Sequence, residues 1–173
     1  MNTKSEHPVW DVYDQYRTAR LNVYYRESQL SRLQSRNFYI ELVLALSTSS
    51  VVAGLWLWEA AIGGIIWKAL ATLAAILAVV KPLVKLSDQI QQKSKVLANW
   101  RLLDAGLEQL TLSVSQYRKY DDAMRSRFFT LMETKSTIIK EEPAEGIDQT
   151  LRKRCQEQVN QELPMDSFFI PED

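Results

Sequence analysis

The sequence predicts an all-α membrane protein, in which a hairpin of two transmembrane helices is continuous with long cytosolic amphipathic helices that form a helical bundle or coiled coil. The first observation is the placement of charge. The chain has 21 basic and 21 acidic residues, yet the only charged residues in the segment 42–80 are Glu59 and Lys68. The second is that apolar residues on both sides of this run recur at steps of three, four or seven, as in helices. The third is the scarcity of helix breakers, with five Gly and five Pro.

The composition excludes several classes of protein. The formal net charge is zero, so the chain as a whole has no preference for an acidic or a basic partner. Cys155 is the single cysteine and His7 the single histidine, which excludes an intrachain disulfide and a metal site built from Cys and His. We therefore expect no metal and no cofactor.

The sequence also lacks the patterns that carry soluble enzyme chemistry. Gly63-Gly64 is not followed by the Lys and Ser or Thr of a phosphate-binding loop. The carboxylate pairs Asp121-Asp122 and Glu141-Glu142 are interpreted as solvated surface, because adjacent helical positions point apart and acid–base catalysis needs groups that converge in a pocket. The run Arg152-Lys153-Arg154 is too short for a nucleic-acid interface and is interpreted as a solvated helix face. We expect no active site and no direct binding of nucleic acid.

Residues 1–37 are predicted to form a cytosolic N-terminal amphipathic helix that starts near residues 7–9. Pro8 suits the first turn of a helix, where its missing N–H group needs no partner. Because no Gly or Pro follows before Gly54, we expect the helix to run straight into the apolar segment. Its apolar face contains Val12, Tyr16, Ala19, Val23, Leu30 and Leu33.

Residues 38–84 are predicted to form the two-transmembrane hairpin. The runs Phe38–Trp58 and Ala60–Val80 contain one charged residue each, Glu41 and Lys68, and each is long enough to cross a bilayer core of about 30 Å. The alternative, a buried hairpin in a soluble domain, is disfavoured because two such runs follow each other. Aromatic residues flank the first run as in interfacial belts: Phe38, Tyr39, Trp56, Trp58 and Trp67.

Basic residues lie before the first span and after the second, at the same end of the hairpin, and so predict its orientation in the membrane. Five precede the first span and five follow the second, namely Arg17, Arg20, Arg26, Arg32 and Arg36, then Lys81, Lys85, Lys93, Lys95 and Arg101. The connection between the spans holds none before Lys68, so both termini of this multi-pass protein are predicted to be cytoplasmic. Anionic lipid is the expected partner of these clusters, with headgroup contacts at Arg32, Arg36, Lys81 and Lys85.

Small and hydroxylated residues in the first span provide the candidate membrane site. Ser47, Ser50 and Gly54 share one helical stripe, and Glu41 lies on the same side at the cytoplasmic interface. Small residues let helix backbones approach closely, whereas hydroxyl groups can also line a wet path. Both interpretations stay open, with helix packing favoured over pore lining.

Residues 85–140 are predicted to form one long cytosolic helix with an apolar stripe along it. Gly106 is the candidate bend, and Lys93 and Asp121 interrupt the stripe as polar residues that often mark helix ends, register devices or exposed edges. The N-terminal helix is too short to cover the stripe, so we expect a homo-oligomer. The candidate oligomer interface contains Leu97, Trp100, Leu107, Leu110, Val114 and Tyr117.

Residues 141–173 are predicted to form a short C-terminal helix and a tail. The acidic segment Glu141–Gly146 contains Pro143 and ends the long helix. The tail places Phe168, Phe169 and Ile170 between two prolines; we interpret it as a strap that docks on the protein, in preference to a partner motif, because exposed apolar clusters are usually covered. Between this acidic segment and the tail, apolar residues recur every four positions: Ile147, Leu151, Cys155, Val159 and Leu163.

Several of these features together resemble the SLATT family, the SMODS- and SLOG-associating two-transmembrane effectors of prokaryotic conflict systems. They are the segment Trp10–Arg17, Tyr24-Tyr25-Arg26, the hairpin rich in small residues, Lys81-Pro82 and Asn99-Trp100-Arg101. The resemblance covers about residues 8–140. It implies an effector in the bacterial inner membrane that oligomerises and compromises the membrane when a partner, a cytosolic sensor or another defence protein, detects infection. It implies no catalytic residues.

Three functions are compatible with these patterns. The leading one is an oligomeric effector of antiviral defence that perturbs the inner membrane or forms pores in it. The second is a non-conducting membrane anchor or scaffold for a cytosolic defence complex, and the third is an accessory subunit of a transporter. Ion flux after expression distinguishes the first function from the other two.

Overall fold

The structure, a computed structural model, describes residues 7–57, 72, 86–142 and 146–171, with residues 46–57 described by their backbone alone. The described residues contain four long helices and a final 3₁₀ turn, namely α1 (Val9–Leu57), α2 (Leu86–Tyr117), α3 (Asp122–Glu141), α4 (Gln149–Glu162) and the turn Met165–Ser167. Every regular element in this part of the chain is helical, which confirms the predicted all-α class.

The chain divides into two compact units. The first unit contains residues 1–28 and 93–173, and the second unit contains residues 29–92. Helices α1 and α2 contribute to both units, so the boundaries fall inside helices.

Helix α1 begins where the sequence predicts it. The backbone N–H of Val9 donates to Nδ1 of His7 at 3.1 Å, and the N–H of Trp10 donates to the His7 carbonyl at 3.0 Å. These bonds satisfy N–H groups that have no partner within the helix itself. The helix then continues to Leu57, which confirms that it runs from the amphipathic segment into the apolar one.

The described residues cover the two predicted spans unequally. The run Phe38–Trp58 lies in α1 as far as Leu57, whereas the run Ala60–Val80 falls outside the described residues except for Thr72. Among the residues described, no helix combines the length and the apolar character that a membrane crossing requires.

The predicted single helix over residues 85–140 is two helices. Helix α2 ends at Tyr117, and Arg118 adopts a left-handed backbone conformation with φ 54°. Asp121 then caps α3, because its side chain accepts a hydrogen bond at 3.1 Å from the backbone N–H of Met124. Asp121 therefore marks a helix end, one of the three roles predicted for a polar residue on the stripe.

Helix α2 continues without interruption through Gly106, the candidate bend. The role of this glycine is close packing: a Cβ atom at this position would lie 2.7 Å from Cδ2 of Leu131 in α3. The missing side chain thus gives Leu131 room against α2.

The predicted oligomer interface requires a correction. Leu97, Trp100, Leu107, Leu110 and Val114 are between 0% and 4% exposed in a single chain, and of the predicted set only Tyr117 is exposed, at 62%. The prediction compared the apolar stripe with the N-terminal helix alone. It did not take into account that α3 and α4 also pack within the first unit. These five side chains are core residues and offer no surface to a second copy.

The C-terminal region follows the prediction closely. Asp148 caps α4 by accepting from the backbone N–H of Leu151 at 2.9 Å. Ile147 is the exception to the predicted apolar face, since it is 53% exposed. The rest of that face joins α1 in one cluster, which contains Leu21, Tyr25, Leu151, Cys155 and Val159 with Tyr24 and Leu163 packed against it.

Candidate functional site

A charged cluster joins three helices of the first unit around one arginine of α1. We call it the Arg20 cluster; it contains Tyr16, Arg20, Tyr24, Asp104, Glu108 and Glu162. The Arg20 guanidinium lies 3.1 Å from Asp104, 3.3 Å from Glu108 and 3.4 Å from Glu162. It also donates to the Tyr16 hydroxyl at 2.8 Å. One cation therefore holds carboxylates from both α2 and α4.

The cluster contains three carboxylates and one guanidinium, and its centre is buried. The side chains of Arg20 and Asp104 are 17% and 11% exposed. Burial raises the pKa of the Asp104 carboxyl from 3.8 to about 6; the charge of Arg20 partly offsets this effect, and Glu108 and Glu162 add to it. The cluster thus binds a proton in a pH range where ordinary carboxylates are ionised.

Helix α4 is held to α1 by further polar contacts along its length. Arg17 donates to Asn160 at 2.6 Å, and the Tyr24 hydroxyl donates to Glu162. At the other end of α4, the hydroxyl of Tyr25 accepts from the backbone N–H of Asp148 at 3.0 Å. Because these bonds surround a small apolar contact, the attachment of α4 depends on charge and hydrogen bonding as well as on burial.

The tail also docks on the first turns of α1. We call residues 164–171 the tail strap. The rings of Tyr13 and Phe168 stack with centroids 4.3 Å apart, and the Tyr13 hydroxyl donates to the carbonyl of Phe169. The Arg118 guanidinium lies 5.4 Å from the centre of the Phe169 ring. The predicted strap interpretation is therefore confirmed: the tail covers an apolar cluster that contains Val9, Tyr13 and Val114.

The Arg20 cluster can bind a proton at Asp104, and the tail strap is held to α1 by contacts that another molecule could replace. In the part of the chain that is described, no group of three or more His, Cys, Asp or Glu side chains is placed to hold a metal ion. What the geometry provides is a set of helix contacts that a change of charge or a competing partner can weaken.

The predicted membrane-site residues are only partly described. Glu41 is exposed and accepts a hydrogen bond from Asn37 at 3.1 Å. Ser47, Ser50 and Gly54 lie on the helical backbone of α1, at a spacing that places them on one face, but their side chains fall outside the description.

The predicted headgroup ligands divide in the same way. Arg32 and Arg36 are exposed on α1, whereas Lys81 and Lys85 lie outside the described residues.

The sequence interpretation missed the Arg20 cluster. It counted Arg20 only as one of the basic residues that precede the first span. A signal was present at Asp104, which lies four residues after Trp100 and three before Leu107 and so falls on the buried stripe. A carboxylate at a core position of an amphipathic helix predicts a buried partner, although only the fold identifies Arg20 as that partner.

Comparisons with known proteins add no relative: no family model matches the chain, and no curated protein or solved structure matches it significantly. The similarity to the SLATT family therefore depends on the residues and topology described above.

Proposed function

We propose that the chain is a subunit of an oligomeric membrane effector, which perturbs the bacterial inner membrane or forms pores in it when a partner sensor acts on its cytosolic helices. The proposal is supported by the apolar run at residues 42–80, which contains two charged residues. It is also supported by the resemblance to two-transmembrane effectors of prokaryotic conflict systems.

The observation that carries the proposal is a change of character along α1. Between Val9 and Tyr25 the helix buries large side chains in the first unit. Further along, Phe38 is 60% exposed, Tyr39 64% and Leu42 41%. Large exposed aromatic residues at the entrance to an apolar run are typical of a helix at a membrane interface, where amphipathic rings lie at the level of the headgroups.

The Arg20 cluster supplies a place where a partner can act. It fastens α4 to α1, and α1 is also the helix that carries the apolar run. A protein that competes for Glu162 weakens this attachment. In the proposed mechanism, release of α4 is the event that permits the effector to open or reassemble.

A second function, a non-conducting membrane scaffold, is favoured by a different observation. Leu102, Leu112 and Phe129 are 71%, 62% and 60% exposed on the first unit. A contiguous patch of exposed apolar side chains marks a surface where other proteins bind, and this function requires these three side chains to contribute to one. In this function the first unit docks a cytosolic defence complex, and the apolar run only anchors it.

Dye uptake by a bacterial host distinguishes the two functions. The chain is expressed together with its neighbouring genes, and the double variant Ser47→Leu/Ser50→Leu is compared with Ser49→Leu, which makes the same change on another face of α1. We expect the wild type and Ser49→Leu to admit dye, and the double variant to admit little while keeping its oligomeric mass. Absence of dye uptake in the activated wild type contradicts the effector and favours the scaffold.

A further inference from the structure

A cleft of about 260 Å³ opens at the corner where α2 ends and α3 begins. We call it the corner cleft. Its less exposed apolar lining, which we call the floor, contains Leu110 and Met124. Its charged lining, which we call the rim, contains Lys119, Asp121 and Arg127, and Tyr117 lines the cleft as well. The cleft thus combines an apolar interior with a charged edge, the usual composition of a small-molecule site.

Asp121, the one carboxylate in the lining, already has two partners. One oxygen of Asp121 accepts from the backbone N–H of Met124 at 3.1 Å, and the other lies 2.7 Å from Nζ of Lys119. Its charge is therefore shared between the start of α3 and the lysine. The lining as a whole has two cations and one anion, in a chain whose formal net charge is zero.

Both cations retain hydrogen-bonding capacity. An ammonium group has three donors and a guanidinium group five. One contact of Lys119 is with Asp121, and one of Arg127 is with Gln109 on α2. The remaining donors at the rim match the oxygens of a phosphate or carboxylate group, for which Arg and Lys are the common protein ligands.

The cleft is also held in shape by the core. Leu110 is 1% exposed, and Met124 packs against the cluster of Val9, Tyr13 and Val114. The turn that closes the corner is fixed by Arg118, whose left-handed backbone and contact with the Phe169 ring tie it to the tail strap. Because Leu110 and Met124 are already held by the core, they lose little conformational entropy on binding.

We propose that the corner cleft binds a small organic anion, with its phosphate or carboxylate group between Lys119 and Arg127 and its aromatic or aliphatic body against Tyr117, Leu110 and Met124. The volume of about 260 Å³ lies just below the range of about 300 to 1,000 Å³ that is typical of sites for drug-sized ligands. The ligand is therefore small. The inference is independent of the proposed function, since binding at this corner requires no membrane activity.

Calorimetric titration of the purified full chain in detergent, with phenyl phosphate as the probe, tests the site. We expect a Kd below about 1 mM, and at least tenfold weaker binding of benzyl alcohol, which keeps the ring but lacks the anion. Inorganic phosphate is expected to bind more weakly than phenyl phosphate, because it cannot use the apolar floor. Equal affinity for the two phosphates, or no measurable binding of phenyl phosphate, overturns the proposal.

Variants locate the binding. Lys119→Gln/Arg127→Gln is expected to weaken binding of phenyl phosphate at least tenfold, whereas Arg152→Gln/Lys153→Gln removes two exposed cations of α4 and leaves it unchanged. Ala123→Phe fills the cleft from an exposed position of α3 while keeping both cations, and is expected to abolish binding. Unchanged affinity in both cleft variants assigns the probe to another surface and overturns the proposal.

Discussion

The two parts of helix α1 have different surroundings although they belong to one continuous helix. From Val9 to Tyr25 its large side chains are buried against α2, α4 and the tail strap. At Phe38 and Tyr39, by contrast, more than half of each side chain is exposed. The backbone is helical in both parts, so the change along α1 is one of surroundings and not of local conformation. The proposed function assigns the exposed side chains of the second part to contacts with lipid and with other copies.

The largest effect on the free energy of unfolding is expected from introducing a charged side chain into the core of the first unit. Leu107 is 0% exposed, so Leu107→Asp places an unpaired carboxylate in the core and is expected to cost about 4 kcal/mol or more of unfolding free energy. The matched variant Leu112→Asp, on the same helix but 62% exposed, is expected to change it by less than about 0.5 kcal/mol. Thermal unfolding followed by circular dichroism measures both. Equal stability of the two variants would contradict the assignment of Leu107 to the core.

Removal of the central cation is expected to have the next largest effect. Arg20→Gln leaves Asp104 buried without its cation and releases Glu162, at a cost of about 3 kcal/mol. Chemical denaturation measures this cost, and Arg152→Gln on the exposed face of α4 is the control. If Arg20→Gln is as stable as that control, the Arg20 cluster does not hold α4 in place.

The pH dependence of stability follows from Asp104. Its pKa in the folded chain, about 6, is above the ordinary value of 3.8, so the folded state binds the proton more tightly than the unfolded state. The resulting stabilisation is fully present below about pH 4 and is lost as the pH rises through 6. The difference is about 2 to 3 kcal/mol, at 1.36 kcal/mol per pKa unit. The charged groups that act on this carboxyl are Arg20, Glu108 and Glu162, and Tyr16 interacts with it as well.

Denaturation curves at pH 4, 5, 6 and 7 measure this effect, and Asp104→Asn provides the reference because it keeps the shape of the neutral acid. We expect the wild type to lose stability relative to Asp104→Asn across this range. A constant difference between the two proteins would show that Asp104 titrates normally.

The smallest effect is expected at the tail strap. Tyr13→Phe removes the hydroxyl that donates to the Phe169 carbonyl and keeps the ring that stacks on Phe168. The expected cost is about 1 kcal/mol, with faster hydrogen exchange confined to residues 164–171. Tyr39→Phe, in the exposed part of α1, is the control. An equal response to the two substitutions would contradict the docking of the strap on Tyr13.

Local signals predicted the start of α1, the end of α3 and the tail. Pro8 indicates the start of α1, and the acidic segment Glu141–Gly146 indicates the end of α3. The prolines around Phe168 and Ile170 indicate a strap rather than a helix. Each of these signals acts within a few residues, so the sequence alone is sufficient to read it.

Other features could not be predicted because they depend on the fold. The break after Tyr117 lacks Gly or Pro, and Arg118 takes a left-handed conformation that its sequence does not suggest. The partners of Arg20 lie far away in the chain, on α2 and α4. The core role of Leu107 and Leu110 became evident only from the packing of the first unit, and for this reason the predicted oligomer interface was wrong.

The central claim is that the apolar run after the exposed part of α1 lies in the membrane with both termini in the cytoplasm. Alkaline-phosphatase fusions in a bacterial host test it directly, because this enzyme is active only outside the cytoplasm. The account predicts that a fusion after Gly63 is active and that a fusion after Lys140 is inactive. The reverse pattern, or two inactive fusions produced at normal levels, would contradict it.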